Sequence, residues 1–335
     1  VSTVRTQTTS PTSPGAQGRD AGLVIEGLRL SIGGTTILDG VDLQAPPGQV
    51  TGLAGESGSG KTMTGMAVLG LQPTQARVAG SIRFGGTELV GASTRSLARL
   101  RGSRIAMIFQ DPTASLHPML SVKAQLTDHM RHHLGVSRAE ATRRALELLR
   151  QVRVPDPEGA LQRYPHQFSG GQLQRIAIAS ALACEPELLI ADEPTTALDV
   201  TVQAGILRLL RRLCDDLGIG IVLITHDLGV MSALADNIAV MRHGRVVEHG
   251  SRYDVIRHPQ HDYTRSLIDS LPEHQEPAPA ESTPPGSTPP GSTPPGSTPP
   301  GSTPPGSTPP GSTPPGSTPA ESTPTSHTEG GPDGR

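Results

Sequence analysis

The octet Gly55-Glu56-Ser57-Gly58-Ser59-Gly60-Lys61-Thr62 is the stretch whose residue types and spacing can do chemistry. It fits G-x-x-x-x-G-K-[ST], in which glycines let the backbone curl until successive N–H groups point at phosphate oxygens. Lys61 then brings a compact positive charge to the β- and γ-phosphates, and the Thr62 hydroxyl offers a ligand for Mg²⁺. The bland alternative is a glycine-rich turn before a helix, and the flanks weigh against it. Val50 to Ala54 is a short apolar run that reads as a buried strand. Met63 to Leu71 reads as a helix, with Met66, Ala67, Leu69 and Leu71 available for packing. A helix start adds unsatisfied N–H donors and the positive end of a dipole. The chain has 28 Lys plus Arg, of which only Lys61 and Lys123 are lysine. A planar guanidinium does not replace a compact ammonium in a tight phosphate cradle, so a lysine at position 61 is informative.

Two further strand ends carry polar groups. Leu188-Leu189-Ile190-Ala191 is an apolar run that ends in Asp192-Glu193. Asp192 at the end of a buried strand can hold Mg²⁺, and Glu193 beside it can orient the attacking water or take its proton. Ile219 to Ile224 is another such run, ending in Thr225-His226-Asp227. Phe168-Ser169-Gly170-Gly171-Gln172 opens a helix ahead of Asp192 and makes a second anion site from backbone donors and a hydroxyl. Within one chain that second site is redundant with the first.

These motifs together resemble the ATP-binding cassette (ABC) family, whose signature is Leu-Ser-Gly-Gly-Gln; Phe168 stands for the usual Leu. The resemblance covers about residues 22–272. It implies an α/β P-loop NTPase fold: an ABC-type nucleotide-binding domain with an antiparallel β subdomain and a helical subdomain insertion. It also implies that Ser169, Gly170, Gly171 and Gln172 close on the γ-phosphate held by a partner subunit. Gln110 resembles the Q-loop glutamine, which touches Mg²⁺ or water and relays closure to membrane subunits. Ala197-Leu198-Asp199 resembles the D-loop across the dimer seam, and His226 the switch histidine. The family usually stacks adenine on an aromatic residue between the first two strands, and by spacing that position is Ile32. ATP and Mg²⁺ are the implied ligands.

Two stretches narrow the resemblance. Gln110 to Pro118 resembles the segment after the Q-loop in peptide and nickel importers, and His258 to Leu267 their C-terminal extension. The implied assembly is an importer on the cytoplasmic face of the cell membrane. It has a second ABC ATPase subunit (homo- or heterodimer), two integral membrane permease subunits and an extracellular solute-binding protein. The rivals are the ATPase subunit of a drug or antibiotic exporter, against which the C-terminal stretch argues, and a soluble clamp on nucleic acid or ribosomes. Net charge is −3 and aromatics are 2% with no Trp, so the chain lacks both a basic footprint and stacking platforms for nucleic acid.

Around the motifs, strands alternate with helices, which predicts a mainly parallel sheet with active residues at strand C-terminal ends. Leu23 to Ile32 and Thr36 to Leu43 read as antiparallel strands joined at Gly33-Gly34. Gly80 to Phe84 reads as a strand, Ser96 to Arg101 as a short helix, and Ile105 to Phe109 as a buried strand. From Leu120 to Cys184 the period is helical, with Leu126, Met130, Leu134, Ala145, Leu146, Leu148, Leu149 and Val152 recurring. Val200 to Leu217 is amphipathic, and Ile238 to Arg242 pairs with Arg245 to Glu248 about Gly244.

Residues 1–21 read as disordered, 22–272 as the ATPase domain, about 120–184 as its helical subdomain and about 251–272 as its C-terminal extension. Residues 273–335 read as a disordered tail. There Ser-Thr-Pro-Pro-Gly recurs seven times from Ser282 to Gly316, a solvated extension or else a spacer or Pro-binding site. No apolar run of about 18 residues or signal-like h-region is present, so membrane association must come through partners. Cys184 and Cys214 lack metal-ligand spacing and read as reduced, buried residues. His258 and His261 read as structural, and His129, His132 and His133 as a solvated face. With Ile32 in place of a stacking ring, GTP should compete with ATP better here than in aromatic-bearing relatives. A nucleotide-competition assay checks this, and strict ATP preference contradicts it.

Overall fold

Apolar alternation makes the first strand. In Leu23–Ile32 (β1), Leu23, Ile25, Leu28 and Leu30 are buried, the period being reset by a bulge at Gly27. The structure is a computed structural model of the chain and describes residues 22–196 and 198–270. The other strands are Thr35–Ala45 (β2), Val50–Ala54 (β3), Arg77–Phe84 (β4), Thr87–Glu88 (β5), Ile105–Ile108 (β6), Leu188–Asp192 (β7), Gly220–Thr225 (β8), Asn237–Arg242 (β9) and Arg245–Ser251 (β10). The helices are Lys61–Leu69 (α1), Thr94–Leu100 (α2), Pro112–Ser115 (α3), Val122–Leu134 (α4), Arg138–Gln151 (α5), Pro157–Gln162 (α6), Gly170–Leu182 (α7), Val200–Leu217 (α8), Leu228–Leu234 (α9), Arg252–Arg257 (α10) and Asp262–Asp269 (α11).

Two sheets result. The antiparallel one has the order β2-β1-β4-β5 and the other the order β10-β9-β3-β8-β7-β6. In the second sheet β6, β7, β8, β3 and β9 run parallel, and only the β9–β10 edge pair is antiparallel. Every residue of β3, β7 and β8 is buried, as continuous apolar runs covered on both faces must be. Ala54 pairs with Thr225, Asp192 with Ile224, and Ile108 with Ala191. The residues just beyond β3, β6, β7 and β8 therefore share one edge, the carboxyl edge of a parallel sheet.

The stretch from α4 to α7 is helical. Val122, Leu126, Met130, Ala141, Ala145, Leu149, Leu161 and Ile176 are buried in one apolar cluster. Local chemistry sets the boundaries: Ser121 and Ser137 accept the N–H of Ala124 and Glu140, capping α4 and α5. Asp199 caps α8 and Asp227 caps α9 in the same way. Cys184 and Cys214 are free and buried, which pushes each thiol up to about 11.

Some expectations need correction. The first helix starts at Lys61 and stops at Leu69, because Gly70 takes a left-handed conformation with φ 62°. Leu71 is consequently 41% exposed and does not pack, and Leu134, at the end of α4, is also exposed. His129 and His132 are exposed, but His133 is half-buried beside Gly102. Burial, then the neighbouring His132 and His129, lower its pKa. Both strands flanking Gly244 are longer than their apolar alternation predicts. The tail, the N-terminal segment and Ala197 lie outside the described residues.

The β9–β10 turn ties three parts together. Gly244 accepts the Asp39 N–H at 2.8 Å and donates its own N–H to the Ser59 carbonyl at 2.9 Å. Its φ is +78°, and a Cβ there would lie 2.4 Å from the Ile37 carbonyl oxygen. Gly244→Ala is expected to cost about 2 kcal/mol or more of stability, through strain and the forced retreat of β2. Denaturant unfolding measures it, and an unchanged midpoint would contradict this role.

Candidate active site

The phosphate loop runs from the end of β3 into α1. Gly55, Gly58 and Gly60 all have positive φ, 143°, 81° and 106°. These are conformations that only glycine adopts without strain. Crowding restricts two of them further. A Cβ on Gly55 would lie 2.1 Å from the Met241 carbonyl oxygen, and one on Gly60 would lie 2.8 Å from Leu38 and Met241 side-chain atoms. Ser59 is buried, whereas Glu56, Ser57 and Gly58 are exposed at the mouth.

Lys61 is 5% exposed. Its ammonium donates to the carbonyls of Gly55 and Glu56, both at 2.8 Å, and lies 3.5 Å from the Ser59 hydroxyl. Burial lowers its pKa, opposed by the charges of Glu193, Asp192 and Glu56. Thr62 Oγ1 donates to Asp192 Oδ1 at 3.1 Å. Asp192 is 3% exposed, and burial raises its pKa, with Thr62 and Lys61 opposing and Glu193 adding to the rise.

Glu193 is the hub. Its Oε2 accepts from Gln110 Nε2 at 3.1 Å and from the Thr196 hydroxyl at 2.8 Å, and its Oε1 lies 3.1 Å from His226 Nδ1. Burial works against its charge. Hydrogen bonds from His226 and Thr196, then the charges of His226 and Lys61, outweigh burial and hold the carboxyl below its usual range. Its backbone has φ 43°, a left-handed conformation costly for Glu. The Glu193 N–H to Ile224 carbonyl bond, 2.8 Å, fixes the bend that turns the carboxylate out over the sheet edge. Lys61, Thr62, Gln110, Asp192, Glu193 and His226 thus converge, an arrangement that can do phosphoryl chemistry.

The remaining predicted residues stand apart. Ser169 and Gly170 are exposed at the start of α7, where Gln172 Oε1 accepts the Ser169 N–H at 3.1 Å. A Cβ on Gly171 would lie 2.7 Å from Val202, and one on Gly170 would lie 3.7 Å from Leu198. The signature glycines thus pack toward the start of α8. Asp199 caps that helix, accepting the Val202 N–H at 3.0 Å. Ile32 ends β1, partly buried in the apolar cluster that also holds Ile37 and Val246. Motif reading missed the two groups that brace the site, Thr196 on Glu193 and Tyr263 on the loop, because neither follows from spacing to a motif. His261 caps α11 and His258 stands edge-on to Tyr253, so both are structural.

Residues present fit a hard cation. The donor set is oxygen: the Thr62 hydroxyl, Asp192 and the Gln110 amide. Two carboxylates face one ammonium, so an incoming polyphosphate needs a further positive charge beside Asp192. Among the described residues no group of three or more His, Cys, Asp or Glu could hold a metal by itself. Phosphate oxygens and water would complete the shell, as Mg²⁺ prefers. A cavity of about 630 Å³ lined by Pro47, Phe84, Leu188 and Gly220 lies at the opposite, amino end of the sheet and carries none of these groups.

Residues 38–196 match the ABC transporter family, and 247–299 match the oligopeptide/dipeptide transporter C-terminal region. The chain is 50% identical over 241 residues to the "Probable peptide ABC transporter ATP-binding protein" of Sinorhizobium fredii, covering 71% of this chain and 72% of the other. It is 44% identical over 240 residues to the oligopeptide transport ATP-binding protein OppD of Salmonella typhimurium, covering 72% of each. Among solved structures, a dimeric ATP-binding cassette in a post-hydrolysis state with ADP and Pi superposes with a TM-score of 0.61 at 28% identity, covering 69% of this chain and 98% of that one. With the phosphate loop, acid pair and strand-end histidine gathered on one sheet edge, the chain belongs to the ABC transporter family, as an ATP-binding, ATP-hydrolysing subunit.

Proposed function

We propose that this subunit drives import of oligopeptides, dipeptides or a related solute such as nickel. The observation that carries the reading is the C-terminal stretch. Residues 247–299 match the oligopeptide/dipeptide transporter C-terminal region, and its described part, β10 to α11, abuts the phosphate loop through Tyr263. The assembly in this reading has a second ATPase subunit, two membrane permeases and an extracellular solute-binding protein, with this chain on the cytoplasmic face. Among the described residues no helix is long and apolar enough to cross a membrane. Residues 22–272 form the ATPase domain in this reading, with the helical subdomain at about 120–184 and the extension at about 251–272.

The nucleotide is held by the inward N–H groups of Gly55–Thr62 and by Lys61, which exchanges its carbonyl partners for phosphate oxygens. Adenine packs on Ile32. Thr62 and Asp192, with Gln110, would hold Mg²⁺, which would supply positive charge to neutralise the phosphates. Glu193, kept ionised by its neighbours, orients the attacking water and accepts its proton, while His226 reaches the γ-phosphate from the next strand end. Ser169 and Gly170 are exposed at the start of α7, which supports their capping a nucleotide on a second subunit. Asp199 lies at that seam. ATP binding closes the pair and hydrolysis reopens it.

Lys61→Ala should abolish ATP binding, and calorimetry showing unchanged affinity would overturn the loop assignment. Glu193→Gln should retain ATP binding but slow turnover by at least ~100-fold, a scale typical of losing a general base, and accumulate closed dimers. Near-normal turnover would remove Glu193 from that role.

A further inference from the structure

The phosphate loop has a brace outside its own motif. Tyr263, on α11, accepts the backbone N–H of Glu56 at 3.0 Å, across 207 residues of sequence. The ring is 4% exposed, and the Arg242 guanidinium lies over it, 4.6 Å from its centroid. Its place is set independently of the loop. Glu248 on β10 accepts the N–H groups of Gln260 and His261 at 2.7 and 3.0 Å, which fixes the start of α11. His261 Nδ1 then accepts the Tyr263 N–H at 3.1 Å. Burial raises the phenol above its usual pKa, so at neutral pH it is an uncharged hydroxyl.

The Gly55–Glu56 peptide group is thereby held at both ends. Its carbonyl, that of Gly55, accepts from Lys61 Nζ at 2.8 Å. Its N–H points outward to Tyr263. When Lys61 turns to a phosphate, the Gly55 carbonyl loses its ammonium partner, and the Tyr263 bond on the Glu56 N–H keeps that peptide from rotating. An outward Glu56 N–H leaves the later amides of the loop free to face phosphate oxygens, so the cradle is set before the nucleotide arrives. The Gly244 N–H to Ser59 carbonyl bond, 2.9 Å, restrains the loop's other side.

We infer that Tyr263 is a positioning residue for nucleotide binding: the C-terminal extension presets the phosphate loop through the Tyr263 hydroxyl on the Glu56 amide. This rests on the phosphate loop being the ATP site. Tyr263→Phe removes the hydroxyl and keeps the ring under Arg242. In the full chain, the Kd for ATP and the KM of ATP hydrolysis should both rise about fivefold, the worth of one net hydrogen bond. The kcat should change less than about twofold, because the bond is made equally before and during reaction.

A purely structural Tyr263 would instead lower the thermal unfolding midpoint and leave the Kd of the folded variant unchanged, and that result overturns the inference. Amide hydrogen exchange on the unaltered chain tests it without any substitution. The Glu56 N–H should be protected although its side chain is exposed, and free exchange there contradicts the brace. Failure of the unaltered chain to bind ATP would remove the underlying site. Binding by the unaltered chain with the same Kd in Tyr263→Phe would remove only the role of Tyr263.

Discussion

One buried ammonium sets the terms for the site. Lys61 is almost fully buried, yet its hydrogen bonds run to two backbone carbonyls of its own loop. Its nearest full negative charges are Glu193, Asp192 and Glu56, which oppose the desolvation that lowers its pKa. A buried cation held by neutral oxygens is poised to exchange them for charged ones. The arrangement works only if the loop keeps its curl without a ligand. The curl depends on three glycines at positive φ and on neighbours that leave no space for a side chain at Gly55 or Gly60.

Long-range contacts enforce that curl. The β9–β10 turn reaches Ser59 through the Gly244 N–H and reaches the antiparallel sheet through Asp39, whose carboxylate also pairs with Arg245. The C-terminal helix reaches Glu56 through Tyr263. Across the sheet edge the acid pair is split by environment. Burial raises Asp192, while its neighbours' hydrogen bonds and charges keep Glu193 below the usual carboxylate range. Neighbouring carboxylates are thus set apart by their environments, as the different tasks proposed for them require. The left-handed backbone at Glu193 stores strain at the point where the carboxylate must leave the sheet.

Much of this was legible because the chemistry sits where apolar runs end. Val50–Ala54, Leu188–Asp192 and Gly220–Thr225 are short, apolar and followed at once by polar groups, so strand and site are read from the same residues. Helix limits were less legible. Lys61 and Thr62 belong to the first helix although they read as loop, and Gly70 ends it before Leu71 can pack. The short helix Leu228–Leu234 buries Leu228, Met231 and Leu234 at helical spacing, but two turns are too few to stand out in the sequence, and its Asp227 cap marks where it starts. Contacts such as Tyr263 to Glu56 leave no local trace, because a single hydroxyl bonded across the fold alters neither periodicity nor composition. The Ser169 stretch reads as an anion site, and within the chain its glycines pack toward Leu198 and Val202 at the start of α8.

In the proposed assembly the chain holds one half of each catalytic site and lends the other half to a neighbour. The direct measurement is a structure of the assembled transporter with Mg²⁺ and a non-hydrolysable ATP analogue. The account predicts a β-phosphate held by Lys61 and the Gly55–Thr62 amides. It also predicts that Ser169 and Gly170 of this chain lie against the γ-phosphate bound to the opposite ATPase subunit. A nucleotide capped by Ser169 of the same chain, or one bound away from Lys61, would contradict it.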